Sequence, residues 1–475
     1  MERLLVIFYL SLLNITIHSK SLLLSPGFDS GMVLQREAMV DLWGWGPKNN
    51  TVTVQVTWSK GKYIAKAGEN GRWKIRLKTP GATFAPQKIL IKSGKERITI
   101  DDILIGDVWI VGGQSNMQMD FNGNPDQPVK NAQKLLLGCN RKGLRLFRVK
   151  NGYALTYADT MKIDGKWTHA TPENVRPFSV VGYVFGKDLY DLLNIPIGLV
   201  EVTHGGSTAE AWIDDNTLRK FGEFDLDLSS RKIDPIWYCT LPEVLFNKML
   251  APLLPYKVKG VVFYQGEANV ERPEQYERLF PLLIKSWRSY FNEVNLPFFY
   301  TQIAPYNYEN GNAARLREAQ LKILNEVPGC GMAVTMDVGE KSVIHPKEKE
   351  VVGDRLAFWA LNKVYNMKAF GCRGPEYKSM EFREGHAYLK FNYASNGLSF
   401  YGNEPSGFEM AGEDHVFYPA KARITPAFWG NEGLEVWSEH VRHPVAVRYC
   451  YANWAKGNLY NTDGLPASSF RTDNW

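Results

Sequence analysis

The plainest chemical possibility in this 475-residue chain is a serine that follows two glycines, in Gly112-Gly113-Gln114-Ser115-Asn116-Met117. The apolar run Ile103–Val111 just before it reads as a strand, which would leave Ser115 at a strand end. An accessible hydroxyl, with the N–H groups of a turn aimed at one spot, is what acyl transfer needs as nucleophile and oxyanion donors. A serine in that place can equally cap a helix, and the motif alone does not decide between them. It is not the G-x-S-x-G elbow of the α/β-hydrolases. Two more Gly-containing polar turns follow strand-like runs: Thr203-His204-Gly205-Gly206-Ser207 and Tyr264-Gln265-Gly266-Glu267-Ala268-Asn269. The glycines let backbone N–H groups come close to a ligand, and the Gln265 amide can donate to an oxyanion. Either turn alone is weak evidence, whereas three at successive strand ends are hard to ascribe to chance. Of the eight histidines, His345 follows the last strand and precedes Pro346, where a loop can hang over the sheet edge as general base. His204 is its rival, and is better placed in the oxyanion turn. His386, His415, His440 and His443 fall in a second β-rich stretch and read as surface or structural.

These turns need elements to hold them. Strand-like runs at Ile103–Val111, Ile197–Thr203, Gly260–Tyr264, Phe298–Ala304 and Met332–Met336 alternate with helical patterns. One helix carries Tyr276, Leu279, Phe280, Leu283, Trp287 and Tyr290 at three- and four-residue steps. Others are expected over Asn312–Val327 and Pro346–Tyr365, the proline suiting a first turn. Alternation of this kind predicts an α/β fold with a parallel sheet covered on both faces. Ligands then bind beyond the carboxyl ends of the strands. Residues 22 to 102 read instead as β-structure, with alternation in Val52–Thr57 and Trp73–Leu77. The stretch from 370 to 475 reads as β again, at Tyr388–Phe391 and Val445–Tyr449.

Composition sets bounds. The net charge of +6 is thinly spread and no Lys/Arg block argues for nucleic acid. Lys341, Lys347 and Lys349 read as a solvated helix start. The five cysteines are scattered without C-x-x-C spacing, so neither a cysteine-based metal site nor a required disulfide is expected. No metal or cofactor is expected. The 14 tryptophans fit large β-cores, and fit a carbohydrate-facing surface too. Leu4–Ile17 behind Arg3 is too short and too polar for a membrane span. It reads as a signal-peptide core with cleavage near His18-Ser19, implying a secreted or periplasmic protein. No second run is long enough to cross a membrane.

Gly113-Gln114-Ser115-Asn116-Met117, Gly205-Gly206-Ser207 with Glu210 and Trp212, Tyr264-Gln265-Gly266-Glu267, and Ile344-His345-Pro346 with Gly353 and Arg355-Leu356 together resemble the sialate O-acetylesterase family of the SGNH hydrolases. Met32–Arg36, Gly44-Trp45, Gly106–Trp109, Pro196–Leu199, and a C-terminal stretch with Asn458–Asn461, Gly464–Ala467 and Phe470–Asp473 extend the likeness over nearly the whole chain after the leader. The resemblance implies an SGNH-type three-layer α/β/α core with a parallel sheet, flanked by β-sandwich-like N- and C-terminal regions. It divides the chain into a signal peptide (1–20), an N-terminal β-domain (21–102), a catalytic domain (103–368) and a C-terminal β-rich region (369–475). It implies metal-free hydrolysis of O-acetyl esters on a carbohydrate such as sialic acid or a sialoglycan. An acetylxylan esterase or another carbohydrate deacetylase is the alternative, and an inactive sugar-binding protein a more remote one. By position, Ser115 is the nucleophile and His345 the base. The Ser115 N–H, Gly206 of the Gly205-Gly206 turn and the Gln265 side chain form the oxyanion hole. Glu267 braces the loop or contacts substrate, bracing being preferred. Two departures stand out. Ser342 occupies the position three before the histidine where many SGNH enzymes have Asp, leaving a Ser–His dyad whose orienting acceptor stays open among Asp337, Glu340 and a backbone carbonyl. His204 stands where the family has an aromatic or apolar residue, and either tunes substrate binding or fills space. The oligomeric state is open.

Overall fold

The computed structural model describes residues 21–158, 163–228, 233–425 and 433–475. The expected leader, 1–20, lies outside the described residues. The fold is a mixed α/β arrangement organised on one strand, Glu96–Gly113 (β1), of 18 residues. Its second half lies within a sheet formed with Arg141–Arg148 (β2), Trp167–Ala170 (β3), Ile197–Thr203 (β4), Gly260–Tyr264 (β5), Phe298–Thr301 (β6) and Cys330–Ala333 (β7). The order is β3-β2-β4-β1-β5-β6-β7. Neighbours from β2 to β7 pair parallel. Every residue of β4 and of β5 is buried, which is why both read as unbroken apolar runs.

The helices that matter for the site are Ser115–Gln118 (α1), Val180–Leu193 (α2), Pro273–Tyr290 (α3), Ala313–Glu326 (α4) and Lys349–Lys363 (α5). α2 packs on α5, and α3 on α4. α2 lies hard against the sheet: a Cβ on Gly182 would fall 2.6 Å from Val111 Cγ1. Successive strand residues face opposite sides. Val111 therefore meets α2, while Gly112 faces Trp287 of α3, whose ring would touch a Cβ there at 3.3 Å.

The sheet differs from the expected all-parallel one. β3 pairs antiparallel with β2 at the edge. The first half of β1 pairs antiparallel with Thr83–Ser93, and Val33–Gln35 runs parallel to it. The N-terminal β-region and the central strands thus share an 11-stranded sheet. β1 runs straight across position 102/103, with Asp102 in the left-handed region at φ 54°. Asp102 holds the buried Arg145 of β2 at 2.9 and 3.0 Å.

Beyond α5 the chain forms two four-stranded antiparallel sheets with a core of their own around Met410, Leu434, Val436, Val447 and Tyr449. This region is stitched to the central one by polar contacts. Gln302 donates to Ser468 Oγ at 2.7 Å, the fully buried Arg317 to Ser469 Oγ at 3.2 Å, and the Ala313 N–H to Asn453 Oδ1 at 2.8 Å. No helix among the described residues is long and apolar enough to cross a membrane.

Candidate active site

The three Gly-containing turns converge at the carboxyl end of the parallel strands. Gly113 makes the first possible. It sits at φ 131°, and a Cβ there would fall 2.1 Å from the Tyr264 carbonyl of the next strand. The chain then steps from β1 into α1 by way of Gln114, whose N–H bonds that carbonyl at 2.9 Å. Ser115 is the first residue of α1 and Gln114 the extended residue before it, so the serine is not a helix cap. Its hydroxyl is half-buried and bonds to none of the described residues.

The second turn lies against it. The His204 N–H donates to the Gly113 carbonyl at 3.0 Å, and a Cβ on Gly205 would stand 3.6 Å from Ser115 Cβ. The Gly205 N–H is taken by Gln118 Oε1 at 2.7 Å. The N–H groups of Ser115 and of Gly206, the latter at φ 71°, bond to none of the described residues. They are the turn donors left for an oxyanion. His204 Nε2 meets the Tyr238 hydroxyl at 2.7 Å and Nδ1 the Gly205 carbonyl at 2.8 Å. Burial lowers its pKa, leaving it a neutral strut with both nitrogens committed.

Gln265 is placed differently from its expected role. Its amide is 1% exposed and donates to the Ser207 carbonyl at 3.2 Å and to Asn269 Oδ1 at 2.7 Å. An amide has two hydrogens, so none remains for an oxyanion. Turning the amide over would set its oxygen against two acceptors. Gln265 here braces the second turn, along with Asn269 and the ion pair of Glu210 with Arg272.

His345 comes to the same rim through a side chain adjacent to the serine. Asn116 Nδ2 donates to the Ile344 carbonyl at 3.0 Å and to Glu267 Oε1 at 2.5 Å, while its Oδ1 accepts from Lys349 Nζ. One buried amide thereby ties the helix bearing Ser115, the third turn, the histidine loop and α5 together across up to 233 residues of sequence. No hydrogen bond joins Ser115 and His345 directly; catalytic contacts of this kind often tighten only around substrate. Glu267 is buried beneath this network and burial raises its pKa, which fits bracing rather than substrate contact. Lys349 is 1% exposed, not part of a solvated helix start. Burial brings its pKa down to about 7. Its place on the core face was signalled by the step to Val352 and Leu356.

The imidazole is oriented without a carboxylate. His345 Nδ1 lies 2.5 Å from Gln127 Oε1, with Asn124 Nδ2 farther off at 3.4 Å. The shorter contact assigns the proton to Nδ1 and leaves Nε2 free to accept one. Asn124 and Gln127 bond each other's backbone at 3.0 and 2.9 Å, which makes a rigid turn. Asp337 is occupied bidentately by Arg355 at 2.8 and 2.7 Å, and Glu340 accepts from the Lys347 N–H at 3.1 Å. Neither turns to the histidine. Burial first, and then the Lys349 charge, lower the His345 pKa to about 4, so the ring is neutral over the ordinary range. The roles of Gln127, Asn116 and Gln118 were not read from sequence, since a polar side chain in a turn or a single helical turn carries no periodic signal. A cavity of 910 Å³ lined by Asp214, Glu243, Phe246 and Tyr290 contains none of these residues; an acetyl group needs much less room.

A hydroxyl, a neutral imidazole and two free N–H groups at one rim suit attack on an ester carbonyl. The comparisons agree with that chemistry. The family model for carbohydrate esterases described as sialic acid-specific acetylesterase matches residues 105–358. The chain is 29% identical over 483 residues to the sialate O-acetylesterase of Homo sapiens, covering 93% of this chain and 91% of that protein. With the Rattus norvegicus sialate O-acetylesterase it shares 29% identity over 425 residues, 77% of this chain and 78% of that one. The crystal structure of a novel carbohydrate acetylesterase from Xanthomonas citri superposes with a TM-score of 0.86 at 33% identity, covering 96% of this chain and all of the other.

Proposed function

The chain belongs to the sialic acid-specific acetylesterase family of carbohydrate esterases, and on that premise we propose that it removes O-acetyl groups from sialic acids with Ser115 as nucleophile and His345 as general base. It is a carboxylic ester hydrolase. Ser115 Oγ attacks the acetyl carbonyl as His345 Nε2 takes its proton, and Gln127 Oε1 holds the Nδ1–H of the resulting imidazolium. The N–H groups of Ser115 and Gly206 receive the negative charge on the carbonyl oxygen; in well-studied hydrolases one such donor contributes roughly 2.7–4 kcal/mol. His345 returns the proton to the sugar oxygen as the C–O bond breaks, leaving an acetyl-Ser115 ester. Water then attacks that ester with the same base and releases acetate. The observation that carries the reading is the Asn116 bridge, which ties the loop bearing His345 to the helix bearing Ser115.

Helices on opposite faces of the parallel strands support an SGNH-type three-layer core, and the leader read at 1–20 supports export. A second reading has one observation in its favour, namely the 33% identity to a bacterial carbohydrate acetylesterase. In it the same chemistry acts on another acetylated sugar, with acetylated xylan the case to assay beside O-acetylated sialic acid.

The test is Ser115→Ala against the parent on a chromogenic acetate ester. Loss of at least about a thousandfold in kcat is expected for removal of a nucleophile. Equal hydrolysis by the two proteins would end the proposal.

A further inference from the structure

The turn behind the candidate oxyanion donors carries an aromatic surface that the acetyl chemistry does not use. Trp237 is 58% exposed, the most exposed tryptophan among the described residues, with Ile236 at 70% and Tyr153 at 41%. An isolated exposed apolar residue needs no explanation; this one is held in place. Asp234 Oδ1 accepts the N–H groups of Ile236 and Trp237 at 2.7 and 3.1 Å. The Trp237 carbonyl accepts Thr240 Oγ1 at 2.8 Å. The adjacent Tyr238 bonds His204 through its hydroxyl and packs its ring 4.6 Å from that of Tyr153. The benzo edge of Trp237 reaches 3.4 Å from where a Cβ on Gly206 would stand. Gly206 is one of the two free donors, and its neighbour Gly205 lies against Ser115. A solvent-facing indole on a braced turn therefore borders Gly206, one of the two free donors.

We propose that Trp237, next in sequence to the Tyr238 that packs on Tyr153, is the platform on which the sugar ring of the ester lies, and so selects acetylated pyranosides over small alkyl acetates. The proposal rests on the reading of Ser115 as nucleophile. A pyranose presents an apolar C–H face, and an aromatic face of the same width takes it out of water. Because the loop is already fixed by Asp234, Thr240 and the Tyr238–His204 pair, little ordering is left for the substrate to drive. This gives His204 a function at the same time. It positions the platform through Tyr238, while its N–H bonds Gly113 beside the nucleophile.

The experiment compares Trp237→Ala and Trp237→Phe with the parent. Acetate release is followed from ethyl acetate and from whichever of O-acetylated sialic acid or acetylated xylan the parent cleaves. The readout is the ratio of kcat/KM for the sugar ester to kcat/KM for ethyl acetate. In Trp237→Ala that ratio is expected to fall more than about fivefold, mainly through KM, with Trp237→Phe restoring most of it. A smaller change in the ratio, whether both activities hold or both drop together, overturns the platform. Ser115→Ala in the same assays separates the two proposals: if it still releases acetate, the nucleophile assignment fails whatever Trp237 does.

Discussion

Replacing Gln127 probes the orientation of the base. In Gln127→Ala the Nδ1–H of His345 loses its acceptor at 2.5 Å, in a site buried enough to bring the imidazole pKa to about 4. A buried donor left unpaired costs roughly 1–3 kcal/mol, and at 1.36 kcal/mol per decade that is a loss of about 5- to 150-fold in kcat/KM. Gln127→Glu asks the complementary question. A carboxylate at that distance favours the protonated ring and raises its pKa by about 1–3 units. The protonated ring cannot accept the Ser115 proton, so a raised pKa removes activity on the acid side. The acid limb of kcat/KM, near pH 4 in the parent, is expected to move up to about pH 5–7 in Gln127→Glu. The assay is release of a chromogenic leaving group from its acetate ester across that range, corrected for the group's own titration. If Gln127→Ala stays within about twofold of the parent and the limb of Gln127→Glu does not move, Gln127 does not orient the base and the argument from Nδ1 is wrong.

Two further outcomes follow from the same geometry. Asn116→Leu removes the bridge between the serine helix and the Ile344 carbonyl and leaves Glu267 and Lys349 without their shared amide. It should lower kcat by about tenfold or more while a folded protein persists in circular dichroism, and unaltered kcat would show that the bridge does not position the pair. Gly113→Ala forces a methyl group to 2.1 Å from the Tyr264 carbonyl at φ 131°. It should destabilise by more than about 2 kcal/mol, and an unchanged thermal midpoint would contradict the backbone path drawn for the first turn.

The strands that end in the site were legible because burial on both faces writes itself as unbroken apolar runs; Ile197–Thr203 and Gly260–Tyr264 keep their expected bounds. α5 begins at Lys349 rather than Pro346, since His345 and its neighbours stay in a bent loop under the Asn116 bond. β2 was invisible. Its arginines mask a buried strand, Arg145 being neutralised by Asp102, 43 residues earlier. The candidate site was readable as three turns and a histidine. The roles inside those turns were not. Whether an amide such as Gln265 faces an oxyanion or a neighbouring carbonyl depends on which partners the fold supplies, and those partners, Ser207 and Asn269, lie up to 58 residues away.

The buried seat of Arg317 on Ser469 makes the central region depend on the β-region that follows it. Its acceptors there, the Ser469 hydroxyl and the Ala452 carbonyl, both belong to the β-region beyond α5. Without that region the buried guanidinium loses both acceptors and Gln302 loses its bond to Ser468. A central region cut loose from that β-region would therefore enclose an unpaired charge, and is expected to aggregate rather than to stand as an independent domain.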